Sequence, residues 1–437
     1  MTEPLLDIGG HDLGAPARVV AVRSKDDLRA ALADARSSHR PFAATGLRAS
    51  YWHNLSLEGA VVADMTSFDG VVATEEIDGY VTVQSGISLR RLDEHLRAHG
   101  GHLPMHPDAY GDTPVGASFA NGVTAGIGML WGTFADQVLG LEVMLADGTT
   151  LQIGSSRILR AGRGAIASGL PDLRSLFFGA EGALGIVTEI DFALVPSPWE
   201  ARLTWRVDED RFSDVLASAR YWRRRGCVET MRWIWEDGGE LTASVTSRVS
   251  EAELHARVSA VRTGLAMLPE PHVHLASAIE RAGRSPDYER KWPGPPGSTW
   301  ARGVERPFAG LDAFVPYGRA TEAWAWARSV TLAERHEART AAYFGGDGVN
   351  IGLHCAFADE AARARGRAAL QARMAELATF DAVPYRPGVV WMKQVRAGLD
   401  PGTLSALHAV GRCLDPEHRI PGTGVLLHAE PDGRRPR

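Results

Sequence analysis

At 437 residues, with a hydrophobic fraction of 45% and a charged fraction of 23%, the chain has the make-up of a globular protein and is too long for one ordinary core. At about 100–200 residues per domain, two domains are expected. A net charge of -6 offers no basic balance for nucleic acid, no run reaches the ~20 apolar residues of a membrane span, and the three scattered cysteines, Cys227, Cys355 and Cys413, suggest neither a disulfide framework nor a zinc site. The N-terminus, MTEPLLDIGG, lacks a basic stretch followed by an apolar core, so a reduced cytoplasmic setting is expected.

Residues 21–65 predict strand, helix, strand: a Val-rich run, the amphipathic DDLRAALADARSS, then apolar residues leading into a turn at Gly46. GAVVADM and YVTVQSG, short β-branched runs parted by a polar segment, read as a strand pair. ISLRRLDEHLRAHG predicts a helix stopped by its terminal glycine. Residues 140–196 alternate strands with Gly/Asp turns, including a hairpin at ADGTTLQIG. After Pro196, SPWEARLTWRVDEDRFSDVLASARYWRRRG passes from strand to helix, and AFVPYGRATEAWAWARSVTLAERH repeats that pairing, which suggests a separate α+β domain. The arginines of RYWRRRG read as a solvated helix face, the Pro/Gly-rich stretch 282–303 as a loop, and the tail from Pro431 as disordered. Trp233, Trp235, Trp324 and Trp326 read as core packing in preference to an aromatic pocket.

Four glycine-rich turns stand out: TGLRAS at 45–50, VTVQSGIS at 81–88, GASFANG at 116–122 and GAEGALGIVTEI at 179–190. Glycines at this density let backbone N–H groups approach a ligand, and successive N–H groups in turns form anion-holding nests. A phosphate-bearing cofactor is the natural reading. Each turn alone is a weak signal; their order and spacing carry the weight.

That ordered set closely resembles the flavoprotein superfamily of vanillyl-alcohol oxidase and p-cresol methylhydroxylase. The likeness runs through ARVVAVRSKDDLRAALADARSSHRPFAATG (17–46), GLEVMLADGTTLQIGS (140–155) and DLRSLFFGAEGALGIVTEIDFALVPSP (172–198), with an echo at CLDPEHRIPGTGVL (413–426). It covers roughly the first 200 residues well and the rest patchily. The resemblance implies an α+β fold: a two-subdomain PCMH-type FAD-binding domain over 1–200, an α+β cap (substrate) domain over 201–410, and a segment, 411–437, returning to the FAD domain.

It also implies FAD. The backbone of Thr45, Gly46, Leu47, Arg48, Ala49 and Ser50 would meet the diphosphate, with Ser85 and Gly86 bordering that loop. The segment with Val115, Gly116, Ser118, Asn121 and Gly122 would run beside the ring system and diphosphate, and Gly185, Ile186 and Val187 would offer backbone groups to the ring or adenine side. Many members tether the flavin through a histidine in the first loop, where this chain has Ala49, or from a segment resembling LDAFVPYG (311–318), which has no histidine. A dissociable FAD is expected, with His53 and Tyr317 as the remaining tether candidates.

The same likeness suggests substrate groups. Tyr385-Arg386 in VPYRPGVVWMKQV resembles a pair that surrounds a phenolate oxygen, a role suited to a guanidinium beside a phenol hydroxyl. Outside that context the pair would read as an ordinary surface feature. Tyr51 resembles a tyrosine sharing the phenolate, and Asp108, or Asp112 after a one-residue shift, an acid near the flavin N5. A rival site is GGDGVNIGLH (345–354), which resembles with an insertion the Gly-Asp-Gly-Asn-Leu-His segment of flavin-dependent 2-hydroxy-acid dehydrogenases. There a histidine helps bind a metal, but the further ligands are not found, so no metal is assigned. The expectation is an FAD-dependent oxidoreductase taking a hydride from a small organic molecule, a para-substituted phenol or alcohol, and passing electrons to oxygen or another acceptor. The alternatives are a 2-hydroxy-acid dehydrogenase and a non-catalytic protein keeping the fold. No nucleic-acid or membrane partner is expected, and apolar cap surfaces favour a homodimer.

Overall fold

The computed structural model describes residues 3–7, 12–48, 50, 56–104, 112–123, 128–155, 163, 170–235, 238–275, 308–330, 335–385 and 395–420; for 308 and 335–339 it describes the backbone alone. Strands β1 (Arg18–Ala21), β2 (Phe42–Thr45) and β3 (Val61–Asp64) form a parallel sheet in the order β1-β3-β2, with helix α1 (Lys25–Ser37) crossing between β1 and β2. Ser24 starts α1 with a capping box, its hydroxyl accepting from the Asp27 N–H while the Asp27 side chain accepts from the Ser24 N–H.

Next come β4 (Val71–Glu75), β5 (Tyr80–Gln84), α2 (Leu89–Ala98), β6 (Gly101–His102), α3 (Val115–Ala120), β7 (Val138–Met144), β8 (Thr150–Gly154), α4 (Arg174–Phe177), β9 (Ile186–Ala193) and β10 (Val195–Pro196). They include an antiparallel sheet ordered β4-β5-β9-β7-β8. The predicted pairing of GAVVADM with YVTVQSG is therefore corrected, since these runs are β3 and β5 of different sheets. The physical reason is burial: Val61, Val62 and Ala63 are all buried, as suits the centre of a parallel sheet rather than a half-exposed hairpin. The predicted glycine stop of α2 is found at Gly100 (φ 74°), and the predicted hairpin at β7–β8 turns through Gly148 (φ 86°).

The rest builds one antiparallel sheet of eight strands. Its elements are β11 (Trp199–Val207), α5 (Phe212–Trp222), β12 (Val228–Trp235), β13 (Gly239–Ser247), α6 (Glu251–Gly264), β14 (His272–Leu275), β15 (Phe308–Pro316), α7 (Ala320–Ser329), β16 (Arg335–Phe344), β17 (Gly348–Phe357), α8 (Glu360–Arg373) and β18 (Val383–Pro384), in the sheet order β14-β11-β13-β12-β16-β17-β15-β18. Helices cover one face through a core that includes Trp233, Phe212 and Trp324, stacked with centroids 4.6 Å apart for Phe212–Trp324 and 5.1 Å for Trp233–Trp324. These two tryptophans are core, as expected; Trp235 and Trp326 pack at its rim. A last helix, α9 (Pro401–Leu414), lays Leu407, Val410 and Leu414 on the core of the five-stranded sheet, and Ile420 joins the core of the three-stranded one.

Two polar locks join these parts. Lys25 at the start of α1 reaches Glu142 on β7 and Glu189 on β9, each at 2.6 Å, tying the parallel sheet to the antiparallel one. Glu229 on β12 is buried and accepts from Trp131 (2.5 Å) and Arg248 (2.8 Å), with His102 of β6 3.5 Å away. Burial pushes the Glu229 carboxyl up, but His102 and the Arg248 guanidinium outweigh it and bring it down to about 2.

A candidate cofactor cleft and the sheet that faces it

Three of the glycine segments converge at the carboxyl end of the parallel sheet, the usual ligand edge of such sheets. Thr45 closes β2, and a Cβ on the next residue, Gly46, would lie 3.0 Å from Pro114 and 3.4 Å from Ala117. Gly86 is pressed on Met65 and Phe68, whose carbonyl oxygens would stand 2.0 Å and 2.5 Å from an added Cβ. Gly116 donates its N–H to the Ser85 carbonyl at 2.8 Å, and its own Cβ would meet the Ser85 side chain at 2.6 Å. Val115 donates to Ile87, so the start of α3 is stitched to the 85–87 turn. Only residues without a side chain permit this approach.

The loop after β2 carries a further mark. Arg48 has φ 53°, a left-handed conformation uncommon outside glycine, beside Leu47 in the turn. Such turns aim successive N–H groups at an anion. At the other end of α3, Gly122 (φ 62°) sits against Gly179, whose Cα would be 2.9 Å from an added Cβ, while Asn121 caps the helix. Gly185 abuts Val143 of β7, Ile186 and Val187 are buried at the start of β9, and the neighbouring Thr188 carbonyl accepts from Ser85.

The fit to a cofactor rests on hydroxyls. Thr45, Ser85, Thr113 and Ser118 are buried, and their side-chain oxygens have no hydrogen-bond partner among the described residues. Each such group costs about 1–3 kcal/mol if left unsatisfied. All four belong to the converging segments, and a ligand rich in phosphate and hydroxyl oxygens would satisfy them. Thr113 was missed in the sequence; a threonine in a Pro/Gly loop gives no local sign of burial.

The face of the eight-stranded sheet opposite its helices is equally buried but polar. On β17, Val349, Ile351, Leu353, Cys355 and Phe357 point into the helix-side core, so Asn350, Gly352 and His354 line the other face. Arg202, Thr242, Ser244 and Asp312 are buried on that face too. It meets the cofactor cleft directly: Val123, just past Gly122, packs with Ala341 and Tyr343 of β16 and with Ile234 of β12. His354 Nε2 donates to both Asp312 carboxylate oxygens at 3.1 Å. The Asn350 Oδ1 is buried with no partner among the described residues. Asp312 was not singled out in the sequence, although a carboxylate inside the apolar run LDAFV was a signal for it.

Other expected residues fall elsewhere. Tyr385 donates its N–H to the Asp312 carbonyl at 2.9 Å, at the edge of the same sheet; Arg386, Tyr51, Asp108, Ala49 and His53 lie outside the described residues, as do the 282–303 loop and the tail. Asp112 pairs with Arg90 at 3.4 Å. Tyr317 points into the helix-side core, where burial pushes its phenol up and its hydroxyl donates to the Gly345 carbonyl at 2.7 Å. Asp347 of the GGDG turn is exposed and paired with Arg224. Among the described residues no group of three or more His, Cys, Asp or Glu side chains is arranged to hold a metal ion, and no helix is long and apolar enough to cross a membrane.

Comparison with known proteins agrees with this geometry. Residues 16–154 match the family model described as FAD binding domain. The chain is similar to the mitochondrial D-lactate dehydrogenase [cytochrome] of Arabidopsis thaliana (30% identical over 42% of this chain and 31% of that protein) and to the mitochondrial D-2-hydroxyglutarate dehydrogenase of Bos taurus (29% over 37% and 28%). A probable mitochondrial D-lactate dehydrogenase of Danio rerio is 35% identical over 33% of this chain and 28% of its own length. The chain thus spans about a third of the length of these curated relatives. In structure it resembles p-cresol methylhydroxylase with substrate bound, at a TM-score of 0.75 and 14% identity over 94% of this chain and 89% of that one. The chain therefore has the fold of p-cresol methylhydroxylase, and its residues 16–154 match an FAD binding domain.

Proposed function

We propose that this protein is an FAD-dependent oxidoreductase that oxidises the alcohol carbon of a small 2-hydroxy acid. The observation that carries this reading is the meeting of the glycine-lined cleft with a buried polar sheet face, a pairing suited to holding a cofactor on one side and a hydroxylated substrate on the other. The backbone of residues 45–48 and 85–86, with the hydroxyls of Thr45, Ser85, Thr113 and Ser118, would hold the diphosphate and its neighbouring oxygens. Bound FAD supplies a two-electron acceptor. The chain's own part is to place the substrate between the two walls, exclude water, and receive the hydroxyl proton. The D-lactate and D-2-hydroxyglutarate dehydrogenases among the relatives support a hydroxy acid over other alcohols.

A second reading, a para-substituted phenol, is supported by Tyr385, whose backbone is bonded to that of Asp312 at the sheet edge. The flavin is read as dissociable, because the first loop carries Ala49 where the resemblance places a tethering histidine. The electron acceptor, a homodimeric state and a cytoplasmic setting stay part of the proposal. The test is the visible spectrum before and after acid precipitation, followed by anaerobic addition of D-lactate, D-2-hydroxyglutarate, glycolate or p-cresol. Yellow colour released to the supernatant and bleached by a hydroxy acid is expected. Bleaching by p-cresol alone selects the second reading, and a protein that takes up no FAD ends both.

A further inference from the structure

Met231 and Trp233 of β12 enter the helix-side core, so Arg232 between them projects from the polar face of the sheet. It pairs in register with Thr242 of β13 and with Tyr343 of β16, and Tyr343 pairs in turn with Asn350 of β17. Directly paired residues bring their Cβ atoms within about 4.5–5.5 Å, so these four side chains form one row across the sheet. Thr242, Tyr343 and Asn350 are buried, and Arg232 is half-buried. The row lies where the two walls meet. Tyr343 clusters with Val123 beside the cofactor segment, and Ile234, the next residue of β12 on this face, packs on that cluster.

A guanidinium stays charged at any working pH, yet among the described residues Arg232 has neither a hydrogen bond nor an ion pair. Arg248, by contrast, is paired with the buried Glu229. Glu240 stands opposite Ile234, diagonally across from Arg232, and forms no ion pair with it. The Thr242 hydroxyl, directly beside Arg232, is buried and also lacks a partner among the described residues. A cation and a hydroxyl left unpaired at adjacent register positions are costly in a protein alone, and an anion between them would satisfy both. We infer that Arg232 and Thr242 hold the carboxylate of the substrate, which makes Arg232 a specificity-determining residue. This rests on the hydroxy-acid reading above and deepens it. The guanidinium supplies the charge-assisted bond and the Thr242 hydroxyl a second donor. Asn350 Oδ1, two strands away in the same row, is an acceptor and suits the substrate hydroxyl instead. Alcohols, esters and amides without the negative charge are discriminated against at this subsite.

The experiment has two arms. In the first, propanoate, a carboxylate without the reacting hydroxyl, and propanamide, its neutral counterpart, are titrated against the FAD-loaded protein by ligand-observed NMR. The wild type should bind propanoate about 10-fold or more tighter than propanamide. Arg232→Gln should weaken propanoate by about 10–100-fold and Thr242→Val by about 3–10-fold, with propanamide unmoved in both and part of the affinity recovered in Arg232→Lys. Bound FAD and the denaturation midpoint of Arg232→Gln should match the wild type, because no described residue loses a bond. Equal affinity for the two probes, or propanoate affinity unchanged in Arg232→Gln, overturns the subsite. Loss of FAD from Arg232→Gln also overturns it, by giving the guanidinium to the cofactor's phosphates. In the second arm, anaerobic stopped flow follows flavin reduction by whichever hydroxy acid bleaches the wild type. Arg232→Gln should raise the half-saturating concentration by the factor seen with propanoate while the limiting rate stays within a few-fold. A fall in the limiting rate alone overturns the anchoring role. If propanoate binding depends on Arg232 but no hydroxy acid bleaches the flavin, the carboxylate subsite stands and the oxidation reading fails.

Discussion

The two walls that meet where Val123 packs on Ala341 and Tyr343 are made of opposite materials. The candidate cofactor wall is largely backbone: Gly86 and Gly116 bring main chain against main chain, Gly46 lies against the Pro114 and Ala117 side chains, and small hydroxyls sit between them. The facing wall is side chain: Asn350, His354, Asp312 and Arg202 project from a regular sheet. A third surface, the helix side of that same sheet, is equally buried yet apolar. Burial alone therefore does not mark a core. A buried apolar face holds the fold, whereas a buried polar face needs hydrogen-bond partners for its groups.

Substitutions can separate these surfaces. The largest effect should come from Trp233→Ala on the apolar side, which opens a cavity in the Phe212–Trp324 stack and should cost about 3–5 kcal/mol in chemical denaturation. A cost under about 1 kcal/mol would mean that the aromatic stack contributes little.

Next is the lock between the walls. With Glu229 at about 2 in the fold against an ordinary 4.5, its ionisation stabilises the protein above pH 4.5, and that contribution fades as pH falls toward 2. The sign follows from the depressed folded value: the unfolded chain takes up the proton first. The shift corresponds to about 3 kcal/mol, so Glu229→Gln should be destabilised by that order at neutral pH, with the gap to wild type closing in acid. A gap constant with pH would assign the loss to packing.

On the backbone wall, Gly86→Ala forces a methyl onto the Met65 and Phe68 carbonyl oxygens. It should cost about 1–3 kcal/mol and lower the flavin bound per protein, measured by absorbance. Unchanged flavin content would remove this turn from the cofactor site. The smallest effect belongs to the side-chain wall: Asn350→Ala deletes a buried oxygen without a described partner and should change stability by less than about 1 kcal/mol, while raising the half-saturating substrate concentration. A loss of several kcal/mol would make that face part of the core.

The close contacts around the candidate cofactor cleft fall on glycines that the sequence itself singles out. Glycine is required where backbones approach too closely for a Cβ, so Gly46, Gly86, Gly116 and Gly122 could be read without a structure, as could the capping of α1, the stop at Gly100 and the β7–β8 hairpin. Each is a local demand that one residue type answers. Strand partnership is not local, which is why GAVVADM and YVTVQSG were read as a pair although they belong to separate sheets. The same limit hid Asp312: its bond to His354 spans 42 positions, and it forms because strand register sets two glycines opposite the pair. Likewise, nothing near Thr113 announces that its hydroxyl is buried, since burial is a property of what folds over it. The chain's own chemistry determined where backbone could come close; only the tertiary structure decided which side chains would face each other across the gap, because side-chain contacts depend on register and packing between distant segments.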